Sequence, residues 1–202
     1  MQIYILIKTY NIRYDTSLVT DTLKTELIIE QTKCWLSSVI IDLNFCPFAK
    51  REFIKQSIHY DVTTACGLEA NLHELARALE HLDNHAEVET TLLIFAETFS
   101  DFDDFVEMID YADQLIDELG YRSTYQLAHF HPDYCFEGAE MDDAANYTNR
   151  APFPILHLLR EDSLQKAIEK HPDTASIPDN NINLARELGV TKMQALLSKC
   201  CK

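Results

Sequence analysis

Val88–Glu97, VETTLLIFAE, decides the fold. Leu92, Leu93, Ile94, Phe95 and Ala96 follow two threonines without a polar interruption. A run this short, rich in strand formers and lacking apolar/polar alternation, reads as a strand covered on both faces. Such a strand needs a helix layer on each side, and the flanking chain supplies candidates. Upstream, Gly67 opens a helix whose stripe Leu68, Leu72, Leu75, Leu79 and Leu82 is one buried face. Downstream, a helix begins at Ser100, with a capping pattern from Ser100 to Asp103. Phe102, Phe105, Val106, Ile109, Ala112, Ile116 and Leu119 form its inner face, and Gly120 closes it.

Further outward, a helix capped by Thr20 or Asp21 carries Ile28, Trp35, Leu36, Val39, Ile40 and Leu43 at helical spacing and ends at Pro47. Phe53–Thr63 alternates as a strand. YRSTYQLAHFH gives another, with Tyr125, Leu127, His129 and His131 on one face until Pro132 stops the ladder. PILHLLRE is a further strand, with a helix capped by Asp162 or Ser163 behind it, and two short helices, about 181–188 and 192–199, close the chain. Strands alternating with helices predict an α/β fold, with α+β open as a variant. The expected form is a layered sandwich whose mixed, partly parallel sheet of about four or five strands is covered by helices. Residues 1–20 are expected to be an N-terminal extension and 21–202 a single globular domain.

Charge and composition narrow the function. Thirty-three acids against 17 bases give a net charge of -16, and no basic patch interrupts it, so neither nucleic acid nor an anionic membrane is an expected partner. No apolar run reaches a membrane span and the first residues lack a signal-peptide pattern, so the expected location is cytoplasmic. The six cysteines then read as reduced thiols rather than a disulfide framework. Only four glycines are present, none in a phosphate-cradling loop, and no cofactor is expected.

The densest chemistry lies in 126–161, QLAHFHPDYCFEGAEMDDAANYTNRAPFPILHLLRE. Its loop of about twenty residues is longer than ordinary connections. His129 and His131 form an H-x-H pair suited to Zn²⁺ or Fe²⁺, with Asp133, Asp142, Asp143 or His157 to complete it. The alternative is that one histidine packs and the other caps the strand end. A metal-free reading uses Asn149, Arg150 and Arg160 as donors to an anionic group and His131 or His157 as general acid or base. Arg150 is equally suited to pinning its loop to Asp142 or Asp143. Cys46, between Phe45 and Pro47, is read as a packed thiol at a helix C-terminus. It becomes a nucleophile only if a histidine approaches it.

LNFCPFAK, ETTLLIF, FHPDYCFEG and NYTNRAPFPILHLLRE together resemble the ordered blocks of a bacterial family, the domain of unknown function 1415, over about Thr32 to Gly189. The resemblance implies motif positions at Cys46, Pro47, His131, Pro132, Asn149, Arg150, Pro152, Pro154, His157, Arg160 and Glu161, and carries no activity with it. His129 and Ala151 stand where serine is usual, which moves weight from the H-x-H pair to His131 with His157.

The expected function is acid/base or hydrolytic chemistry on a small anionic metabolite, with His131, His157 and Cys46 as catalytic candidates and Asn149, Arg150 and Arg160 as substrate-binding candidates. No metal is assigned. Two alternatives stand beside it: a noncatalytic binding or interaction module in which the same residues brace the loop, and a metal-dependent hydrolase using His129 and His131.

Overall fold

The computed structural model describes residues 16–170 and 173–202. The expected extension over 1–20 falls mostly outside the described residues. Within them the chain forms α1 (Thr16–Trp35) and a π-helical turn (Leu36–Ile41), then α2 (Ala49–Lys55), β1 (Ile58–Thr63) and α3 (Leu68–Asn84). β2 (Thr90–Phe95), α4 (Phe102–Glu118) and β3 (Tyr125–Phe130) come next. A 3-10 turn (Ala144–Thr148) precedes β4 (Ile155–Arg160), α5 (Glu161–Lys170), a second 3-10 turn (Thr174–Ser176), α6 (Ile177–Leu188) and α7 (Val190–Cys200).

The sheet order is β1-β2-β4-β3. β1 and β2 run parallel, with Tyr60 opposite Leu92, while β4 is antiparallel to both its neighbours, with Leu92 opposite His157 and His157 opposite Ala128. The sheet is therefore mixed, as the strand–helix alternation requires, and the last strand in sequence lies inside it.

β2 is buried at every position from Thr90 to Phe95. Its pleat sends Leu93 and Phe95 into a core with Leu75, Leu79 and Leu82 of α3 and Phe105, Met108 and Ile116 of α4. Leu92 and Ile94 enter a second core with Ile28 and Trp35 of α1, Val39 and Ile40 of the π turn, Ala185 of α6 and Met193 of α7. Two helix layers with a sheet between them result. Among the described residues no helix is long and apolar enough to cross a membrane.

Several boundaries differ from the sequence reading. The first helix is already formed at Thr16 and turns from α to π geometry after Trp35 rather than running to Pro47. Phe53, Ile54 and Lys55 belong to α2, not to a strand; Gln56, at φ 56°, reverses the chain so that β1 starts at Ile58. AKREFIK is composed of good helix formers, and that local preference outweighs the weak alternation read across it. The cap of α4 is Asp101, not Ser100: its carboxylate accepts from the amides of Asp103 (2.9 Å) and Asp104 (3.4 Å). α5 begins directly at Glu161, without the expected Asp162 or Ser163 cap.

Candidate functional site

β1, β2 and β3 run in the same direction and finish at one end of the sheet, and there the 131–154 connection folds back over the α1 layer. His131, the first residue after β3, is fully buried. Its Nδ1 accepts from the amide of Asp133 (3.0 Å) and its Nε2 lies 2.8 Å from the carbonyl of Phe99. An amide N–H can only donate and a carbonyl can only accept, so the proton sits on Nε2 and both ring nitrogens are engaged. Phe102 and Phe105 pack beside the ring at 5.2 and 5.3 Å, and burial lowers its pKa despite the Phe99 carbonyl. This is the bonding of a neutral brace, with no lone pair left for a substrate.

Arg150 also braces the loop. Its Nε donates to the carbonyl of Tyr134 (3.0 Å), a terminal nitrogen donates to that of Met141 (2.9 Å), and the guanidinium lies 4.7 Å over the Tyr147 ring. Asp143, expected as an Arg150 partner, pairs instead with Arg186 of α6 (2.6 and 3.1 Å), which holds its carboxyl down at about 2. Asn149 bonds through its carbonyl to the His131 amide (3.2 Å) and through its side-chain oxygen to the Thr148 hydroxyl (3.1 Å).

Asn146, which no sequence signal singles out, is the centre of this loop. Fully buried, it accepts from the Phe136 amide (3.0 Å) and donates to the carbonyls of Glu140 (2.9 Å) and Met141 (3.4 Å). Trp35 of α1 ties the assembly to the helix layer by donating to the Arg150 carbonyl at 2.9 Å.

Arg160, the last residue of β4, lies at the opposite end of the strands. Its guanidinium donates to the carbonyls of Val88 (3.1 Å), Leu82 (2.5 Å) and His85 (3.2 Å), where α3 ends, and stands 5.8 Å over the Tyr125 ring. The remaining terminal nitrogen reaches the Tyr125 hydroxyl only at 3.4 Å. A cleft of about 360 Å³ opens beside it, lined by Glu89, Ser123, Thr124, Arg160, Ser163 and Lys166 among others. Ser163 and Lys166 come from the first two turns of α5, whose free amides add partial positive charge. Thr124, Ser163 and Lys166 were invisible as site residues in the sequence because the cleft joins chain segments without a shared motif.

His157 projects from β4 to the opposite face from Arg160, next to Leu92 in register. The Thr90 hydroxyl donates its one proton to the Leu158 carbonyl (2.5 Å), so at 2.7 Å it accepts from His157 Nε2. Among the described residues Nδ1 has no hydrogen-bond partner. Burial pushes the His157 pKa down to about 4, leaving the ring neutral.

Cys46 is half-buried in the turn between the π helix and α2, so it precedes a short helix rather than ending a long one. Burial raises its pKa, and the amides of Phe48 and Ala49 oppose that shift. Among the described residues no hydrogen bond joins it to His131 or His157. His129 packs on Tyr134 at 5.7 Å with its Nδ1 buried and unpartnered, and burial lowers its pKa. Among the described residues no group of three or more histidines, cysteines or acids is arranged to hold a metal ion. The six candidates thus divide among the loop (His131, Asn149, Arg150), the opposite cleft (Arg160), the middle of the sheet (His157) and the helix layer (Cys46).

A family model described as a protein of unknown function, DUF1415, matches residues 27–195. The chain belongs to that family. No curated protein and no solved structure matches it.

Proposed function

We propose that this DUF1415 protein is a noncatalytic binding module for a small anionic ligand, taken up in the cleft beside Arg160. The observation that carries the reading is the saturation of His131 beside an open cleft at Arg160. His131 gives both ring nitrogens to backbone groups, which leaves none for proton transfer, and Arg150 gives its Nε and one terminal nitrogen to loop carbonyls, which suits it to bracing. The cleft gathers Lys166, the less engaged edge of Arg160 and the hydroxyls of Thr124 and Ser163 at a helix N-terminus, a set of donors suited to carboxylate or phosphate oxygens. Glu89 and Asp162 at its rim would favour a ligand that also carries a donor.

Phosphate, phosphomonoesters and di- or tricarboxylates, screened by thermal shift, test this reading. The expected result is a saturable rise in Tm for one of these classes, lost in Lys166→Glu while the unliganded Tm stays within about 2 °C of wild type. Absence of a rise for every anion, or a rise that Lys166→Glu leaves intact, overturns it. The thiol content suits a reducing cytoplasm, and the net charge of -16 speaks against nucleic acid or an anionic membrane as partner.

A catalytic reading is favoured by one observation, the unpartnered Nδ1 of His157. With a pKa near 4 the ring would serve as a base, not as an acid, at neutral pH. Turnover of a small ester that disappears in His157→Gln would replace the binding reading with this one.

A further inference from the structure

We propose that Cys34 and Cys200 form a reversible disulfide that locks α7 onto α1. Cys34 sits in the final turn of α1 and Cys200 is the last residue of α7, two helices that pack together. The Ser38 hydroxyl, on the π turn, stands against both sulfurs, 3.9 Å from Cys34 Sγ and 3.3 Å from Cys200 Sγ. That hydroxyl donates to the Cys34 carbonyl at 2.6 Å, so its position is fixed by the same turn of chain. Two thiols from opposite ends of the sequence are therefore held against one oxygen atom, and π turns recur where helices carry function.

The two thiols differ in access. Cys34 is half-buried and Cys200 is 1 % exposed. The oxidant is a low-molecular-weight disulfide, RSSR. The Cys34 thiolate attacks one of its sulfurs, the S–S bond of the reagent breaks, and the first RS⁻ leaves and takes up the Cys34 proton as RSH. The Cys200 thiolate then attacks Cys34 Sγ, forming the protein disulfide and expelling the second thiol. The protein loses two electrons and two protons, and RSSR becomes two RSH. Burial first, and then the adjacent Cys34 thiol, push the Cys200 thiol up to about 11. The second step is therefore the slow one, and its rate should rise about tenfold per pH unit between about 7 and 9.

Cys200 lies beyond the family match at residues 27–195, whereas Cys34 lies within it.

Reduced protein is treated with oxidised glutathione at pH 8 and digested without reductant. The expected product is a Cys34–Cys200 peptide pair lighter by two hydrogens. It should raise Tm by about 5–10 °C, since the bridge closes a very long loop. Dithiothreitol should reverse the gain, Cys34→Ala and Cys200→Ala should abolish it, and Cys201→Ala should keep it. The Tm of each variant before oxidation shows that it is folded. A glutathione adduct on Cys34 that never resolves, or a link from Cys34 to Cys201, overturns the assignment.

Discussion

His131 reaches back to Phe99 and donates from Nε2 to its carbonyl at 2.8 Å, tying the start of the long loop to the residue between β2 and α4 with the least favourable backbone. Phe99 has φ 59°, a conformation costly for a bulky side chain, of order 1–3 kcal/mol. Its ring packs between Phe95 and Phe105, so this strain is offset by an aromatic cluster and one hydrogen bond.

Replacing His131 with alanine should therefore act on stability. The substitution leaves a cavity and an unpaired Phe99 carbonyl, and should cost about 3 kcal/mol in urea unfolding with the slope unchanged. A loss below about 1 kcal/mol would show that the brace is dispensable and return His131 to the catalytic candidates.

Arg150→Ala should loosen the loop more than the fold. Two carbonyls, of Tyr134 and Met141, lose their donor. Amide exchange over residues 134–148 is expected to accelerate about tenfold, equivalent to about 1.4 kcal/mol, while β2 amides stay protected. Arg150→Lys should behave much like alanine, because an ammonium lacks the planar fork that spans both acceptors. Uniform acceleration across the sheet would contradict a local role.

Stability should fall on mild acidification because of His157. Its folded pKa, about 4, lies below the unfolded value near 6.5, so the unfolded state binds the extra proton in that interval. The contribution is complete above about pH 6.5 and is lost as pH drops towards 4, on the order of 3 kcal/mol. His157→Gln should flatten that part of the profile. Asp143, held at about 2 by Arg186, acts in a separate window: its contribution is present above the ordinary carboxylate pKa near 3.8 and is lost as pH falls towards 2. A profile unchanged by His157→Gln between pH 6.5 and 4 would remove the assignment.

Trp35 is the only tryptophan, 1 % exposed, and its indole N–H donates to the Arg150 carbonyl. Its native emission is expected to be blue-shifted. In Phe130→Ala, which removes the ring 5.0 Å away, the emission should move to the red before global unfolding. An unshifted spectrum would mean that the loop does not depend on that contact.

The architecture was legible where burial leaves a periodic mark. VETTLLIF lacks alternation because both of its faces are covered, and the stripes of α3 and α4 repeat because each has one buried face. A weak apolar alternation misled at Phe53–Lys55, where helix propensity prevailed, and nothing in the sequence marks the π turn after Trp35. The candidate site was legible as a set of polar residues but not as bonds. Pro132 marks where β3 stops, yet the partner of His131 is a carbonyl 32 residues away. That most of the Arg160 guanidinium is taken up by the end of α3, leaving one edge towards the cleft, is written in no motif, and Asn146 differs from an exposed asparagine only by what surrounds it.

β4 lies between β2 and β3 although it is the last strand to be made. A growing chain that stops short of Ile155 therefore leaves a vacant slot with an open edge on each side, one of them β2, which is buried at every position in the finished fold. Until Arg160 has emerged, the half-made protein is a template for strands from other chains, and the speed with which β4 enters the slot governs how much of it escapes aggregation.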